Sequence, residues 1–208
     1  MEEKYMHVDK VILRAVISTI LAMLVLSTFL VLTLSLVFPF SWMKITYDLG
    51  MDGVSVRNAK RAYHYTGDVS YIAYATEVAI GADDCERVEE CGEMLILDEN
   101  FLSYCETRNQ ALPENADGIY EQYVYGQVSV AKYRLGDKDG AVTTAFDGLE
   151  NRFPKNNAVV ALLLTALKVE DSETVDKIER KMNEMVGSIA SNTEKAYLEE
   201  MRSLAEND

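Results

Sequence analysis

No charged residue occurs in the 29 positions from Ala15 to Met43. A helix needs about 20 apolar residues to cross the hydrocarbon core of a bilayer, so this run is long enough to span even when tilted. Phe38, Phe40 and Trp42 gather at its far end. Aromatic rings favour the membrane–water interface. Pro39 lacks an amide hydrogen and is expected to end or kink the helix there. A buried core helix is a poor alternative, because the remaining chain is too small to surround it. A cleaved signal peptide has a shorter apolar region, about 7–15 residues, and a small-residue cleavage site. Here the run ends in the bulky Val37-Phe38-Pro39-Phe40-Ser41-Trp42. No cysteine follows closely enough for a lipoprotein anchor. The expectation is an uncleaved anchor, with a tail over 1–10, a transmembrane helix over 11–43, a linker over 44–52 and a helical domain over 53–208.

Lys4, Lys10 and Arg14 precede the helix, and Lys44, Arg57, Lys60 and Arg61 follow it. Charges on a short tail weigh more in topology than charges in a long translocated domain. The N-terminus is therefore expected in the cytoplasm and the domain outside, in a single-pass arrangement in the cell membrane. The chain has 20 Lys and Arg against 34 Asp and Glu, a net charge of −14. Charges in the tail cancel, so the imbalance belongs to the domain. Nucleic acid is excluded as a partner, because phosphate binding needs clustered cations. Anionic headgroups would also repel such a surface. The plainest role of the acidity is solubility.

Beyond Met51 the chain shows no β-type alternation, and apolar residues recur at helical spacing, as in Tyr120, Tyr123, Val124, Val128 and Ala131. The fold class expected is all-α. Stop signals separate the helical runs at Thr66-Gly67-Asp68, Gly81-Ala82-Asp83, Leu112-Pro113-Glu114, Leu135-Gly136-Asp137, Phe153-Pro154-Lys155 and Glu170-Asp171-Ser172. Ser191 and Glu194 have capping-box spacing for a last helix. Gly67 and Gly136 are 69 residues apart, and Glu170 falls 34 further on.

A period of about 34 built from helix–turn–helix pairs resembles the tetratricopeptide repeat. The clearest copy runs from Gln122 to Lys155. Tyr125 takes the first-helix aromatic position, Ser129 the small position, Gly136 the turn, Ala141 the second-helix alanine and Pro154 the closing proline. Ala145 stands where an aromatic is usual, and Gly148 where an alanine is usual. A copy over Gly53–Glu86 matches at Tyr63 and Gly67, with Ala73 one residue late. The stretch Arg87–Glu121 lacks the turn signature. Asn156–Ile189 matches by spacing and by its apolar run Val159–Leu167. The resemblance implies a stack of antiparallel helix pairs, each burying its apolar face on the next.

Little in the sequence points to chemistry. His7 lies in the tail and His64 on the first helix of the domain. Cys85 and Cys91 are too far apart for the tight pairs of a zinc site. Cys85, Cys91 and Cys105 make an odd number, which is no disulfide framework, though one bridge from Cys105 to either of the others stays open. Acid pairs such as Asp83-Asp84 and Glu89-Glu90 read as a solvated face, and the acids around the cysteines disfavour a reactive thiolate. No enzyme activity, metal or cofactor is expected.

In the tetratricopeptide class the first helix of each pair lines a concave surface. The resemblance therefore implies a partner groove at Arg57, Arg61, His64 and Tyr65 in the first copy, and at Tyr123, Val130, Tyr133 and Arg134 in the third. Residues 57, 61, 64 and 65 do share one helix face by spacing. Arg and Tyr are enriched in interface hot spots, and Arg grips carboxylates with two bonds. The competing expectation is that Tyr123 and Tyr133 pack in the core while the arginines pair with acids on their own surface. The function expected is a non-catalytic adaptor or accessory subunit of a membrane or envelope complex serving secretion or assembly, with protein partners and an open oligomeric state. A self-associating envelope protein is the alternative. The acidic segment Lys195–Asp208, read as a polar cap on the stack, argues against end-to-end assembly. An enzyme using the cysteines or acids is the third reading.

Overall fold

The computed structural model describes residues 2–111, 119–149 and 157–186, with side chains described within 11–184. Pro113, Pro154, the Ser191–Glu194 box and the segment Lys195–Asp208 lie outside the described residues. Within them the chain is all-α, with ten helices and no strand.

Helix α1 runs from Glu2 to Val37. Its stretch Val11–Val37 has 27 residues with a mean hydropathy of 2.6, and none of its most apolar window is buried against the rest of the chain. It is therefore long and apolar enough to cross a membrane. Its hydroxyls bond back to the helix itself: Thr19 donates to the Ala15 carbonyl at 2.9 Å and Thr28 to Leu24 at 2.8 Å. Such internal satisfaction is what an apolar surrounding demands.

The expected span reached residue 43, followed by a linker over 44–52. The structure divides that region differently. Phe38 adopts φ −128° and ψ 60°, outside the helical region, and Pro39 opens a separate helix α2, Pro39–Asp48. Met43 and Thr46 of α2 are fully enclosed. They face α3, Asp52–Thr66. The Ser55 hydroxyl donates to the Met43 carbonyl at 2.7 Å. Residues 39–48 thus belong to the domain rather than to the span or a linker.

Two hairpins share one turn chemistry. Between α3 and α4 (Val69–Gly81), Gly67 takes φ 68° and the Asp68 carboxylate accepts from the Ser70 amide at 2.9 Å. Between α7 (Tyr120–Leu135) and α8 (Lys138–Asp147), Gly136 takes φ 95° and Asp137 accepts from Gly140 at 2.9 Å. Glycine closes the first helix without a Cβ penalty and the aspartate starts the second. A third hairpin joins α9 (Ala158–Lys168) to α10 (Ser172–Val186). There Glu170 takes φ 56°.

The segment without the glycine turn behaves differently. Helices α5 (Cys85–Ile96) and α6 (Phe101–Gln110) do not close as a hairpin. Instead α7 lies directly on α5, while α6 sits to the side against α4 and α7. Position 92 makes the α5–α7 approach possible. A Cβ on Gly92 would lie 2.2 Å from Val128 Cγ2.

Two apolar clusters fill the domain. The larger joins α2 through α7, around Ile72, Leu95, Phe101 and Val124. The smaller joins α8 to α10, around Phe146, Leu162 and Ile178. Tyr125 packs against both. Gln122 ties α7 to its neighbours: it donates to the Gly148 carbonyl and accepts from the Ala158 amide at 3.2 Å.

Adding one methyl at position 92 forces Val128 out of a fully buried site. Gly92→Ala is expected to lower unfolding stability by about 1–3 kcal/mol despite its better helix propensity. Gly81→Ala, which meets nothing within 4 Å, is expected to be neutral or stabilising by up to about 1 kcal/mol. Urea unfolding of the two full-length variants in detergent, followed by circular dichroism, checks the contrast.

Candidate functional site

Helix α3 repeats side chains toward one face at Gly53, Arg57, Lys60 and His64, and α5 supplies Arg87 and Glu90 opposite them. Together with Val56 and Arg61 they line a groove of about 280 Å³. Glycine at 53 leaves room for the Arg87 guanidinium, whose Nη2 would be 3.0 Å from a Cβ there. Lys60 pairs with Glu90, and Arg87 with Asp84. Among the described residues no ion pair engages Arg57 or Arg61. Both are exposed. The groove therefore concentrates positive charge in a chain of net −14. Arg57 and Arg61 thus differ from Lys60 and Arg87, whose charges are met by acids beside them.

A second, larger depression of about 680 Å³ lies between α7 and α9, beside the end of α6. Gly126, Val160, Ala161 and Leu164 form its apolar part, with Tyr123 at 45% exposure. Gly126 brings α7 close to α9, since a Cβ there would meet Ala161 Cβ at 3.4 Å. Arg108, the one cation among its described lining residues, is already engaged. Arg108 donates to Glu77 at 2.7 Å and lies 5.0 Å from the centroid of the Tyr120 ring. Tyr120 donates to the same Glu77 oxygen at 2.8 Å. Burial, reinforced by that carboxylate, pushes the Tyr120 phenol well above its ordinary pKa. Its hydroxyl thus stays protonated and holds α7 to Glu77 of α4.

The eight sequence-selected residues are thus divided, and Val130 is half-buried and lines neither depression. Arg57, Arg61 and His64 line the cationic groove. Tyr65 is 80% exposed and lines neither depression. Tyr123 lines the apolar cleft. Tyr133 and Arg134 are held by the domain's own acids: the Tyr133 hydroxyl donates to Asp171 at 2.8 Å and Arg134 to Asp83 at 2.6 Å. Lys60 was legible from its spacing to Arg57. Arg87 and Glu90 come from another helix, and no signal in α3 marks them.

Two of the three thiols, Cys91 and Cys105, are buried. Cys85, Cys91 and Cys105 are all free, so the bridge left open by the sequence is not formed. Burial pushes Cys91 up to about 11 and Cys105 to about 12. Such thiols carry almost no thiolate near neutrality. Among the described residues no group of three or more His, Cys, Asp or Glu is placed to hold a metal ion. No protein-family model, curated protein or solved structure matches the chain.

Asp171 is the most heavily bonded acid near these residues. It accepts from Lys138 at 2.7 Å, from Tyr133 at 2.8 Å and from the Thr174 hydroxyl at 2.8 Å. The Lys138 bond, then those from Thr174 and Tyr133, hold its carboxyl far below the usual range against the opposing effect of burial. A depressed folded-state pKa stabilises the fold above the unfolded value, about 3.9, and that contribution fades as pH falls below it. Asp171→Asn is expected to destabilise by about 1–2 kcal/mol at pH 7. The deficit should shrink steadily as pH is lowered from about 4 toward 2. Urea midpoints of both proteins across that range check it.

Proposed function

We propose that this chain is a non-catalytic, single-pass membrane adaptor or accessory subunit of a membrane complex. In this reading its helical domain stands on the extracytoplasmic side and binds a protein partner through the α3–α5 groove. One observation carries the proposal: Arg57 and Arg61 stand without an acidic partner among the described residues, beside Lys60 and Arg87, in a domain otherwise rich in acids. Cations left unpaired on such a surface are available to a carboxylate, and a guanidinium binds one bidentately. The partner segment that fits is acidic, through Asp and Glu side chains or a C-terminal carboxylate. The arrangement also supports the tetratricopeptide-like reading. Successive first helices begin at Asp52, Cys85, Tyr120 and Ala158, close to the period of about 34 in that class.

The test is mild cross-linking in the native membrane, gentle purification of the full-length chain and identification of what accompanies it. The double variant Arg57→Glu, Arg61→Glu is carried in parallel. Both side chains are exposed, so the melting temperature should hold while recovery of the partner falls at least tenfold. A partner retained at wild-type stoichiometry would exclude the groove. Recovery of the chain only with itself would favour self-assembly instead.

A further inference from the structure

Helix α2 carries an apolar flank that is largely uncovered among the described residues, with Trp42 half-buried along it. Trp42, Ile45 and Leu49 follow at spacings of three and four residues, which aligns them along one side of α2 and its C-cap, and Phe38 stands just ahead of them as the N-cap. Phe38 is 57% exposed, Ile45 46% and Leu49 68%. This flank lies about a quarter-turn from Met43 and Thr46, the residues that seat α2 on α3.

We propose that this flank lies in the membrane–water interface and holds the helical domain against the bilayer surface. The inference rests on the reading of α1 as a membrane span. Continuity with that span identifies lipid as the occupant. Only Phe38 separates the end of α1 from the start of α2, a step of at most about 7 Å. The stretch Val11–Val37 has 27 residues, about 40 Å of helix against a hydrocarbon core of about 30 Å. Its last turns therefore already reach the headgroup layer, and α2 begins there. Trp and Phe rings with Ile and Leu beside them suit that layer.

The seating of α2 carries the rest of the domain with it. Besides Met43 and Thr46, the Phe40 ring meets Tyr71 at 6.1 Å and the Tyr47 ring meets Tyr74 at 6.4 Å. The Ser55 hydrogen bond fixes the axial position. Once the flank settles into the interface, α3 has a set height and tilt above the membrane. Lys44 is drawn over the Phe40 ring at 4.7 Å, away from the apolar flank.

Trp42 is the single tryptophan of the chain, which makes depth measurable. Full-length protein is reconstituted into phosphatidylcholine vesicles whose acyl chains carry bromine at set depths. In a Trp42→Phe background, single reporters are introduced as Leu30→Trp in the span, Ile45→Trp and Leu49→Trp on the flank, and Asp48→Trp on the exposed side about a quarter-turn from the flank's axis. The Leu30 reporter should be quenched by deep bromines. The Ile45 and Leu49 reporters should be quenched by shallow bromines at least twofold more than the Asp48 reporter, and shielded from aqueous iodide. Quenching at Leu30 without quenching at Ile45 and Leu49 overturns the inference while the span reading stands. Flank reporters shielded from both quenchers overturn it too, since protein would then cover them. Failure at Leu30 removes the span reading and the inference with it. All three positions of α2 are exposed, so the reporters leave the core intact, and unchanged helical circular dichroism confirms that.

Discussion

Helix α7 can rest on α5 only because position 92 has no side chain, and the middle of the domain is organised by that contact. Val128 occupies the space a Cβ would claim. With α7 drawn onto α5, the short α6 is displaced to one side. Room then opens between α7 and α9 for the apolar cleft. The α3–α5 groove lies on the other side of α5 and keeps its cations apart from that cleft. Interiors are packed as densely as organic crystals, so a single missing methyl at such a crossing decides which helices are neighbours.

The charge pattern follows a related logic. Acids dominate the domain, yet most of the described cations are spent on them: Arg134 on Asp83, Lys132 on Glu93, Lys177 on Asp139, Arg108 on Glu77. These exposed pairs add little stability individually. Among the described cations outside ion pairs, Arg57 and Arg61 are the two that share one groove. Specificity for a carboxylate-bearing partner needs such contrast, because a surface of evenly mixed charge would favour no ligand over another.

The helices were legible in the sequence where local chemistry writes their ends. The Gly67-Asp68 and Gly136-Asp137 pairs announce a left-handed cap followed by a side-chain N-cap, and both hairpins form as those residues require. Neighbour choice was not legible. Arg87–Glu121 shows no turn signature, and its two helices do not pack as a pair; Gly92 carries the reason, but a glycine inside a helical run does not say which partner it admits. The division at Phe38 was half visible. Pro39 marks a break, while the burial of Met43 that turns the following residues into part of the domain depends on Ser55 and α3. Of the candidate site, helical spacing found the α3 residues. Tyr133 and Arg134 share a resemblance-based position with them, yet their partners are acids from α4–α5 and α9–α10 turns that spacing along α7 cannot reveal.

Tyr125 touches both apolar clusters, and only α7 contributes side chains to each of them. Helix α7 is therefore the element through which the two clusters are joined. Helix α7 packs on α8 and α9 as well as on α5, so a disturbance at α7 reaches both clusters. Helix α2 and the α3–α5 groove are both built on the larger of the two, through Met43, Val56 and Val88.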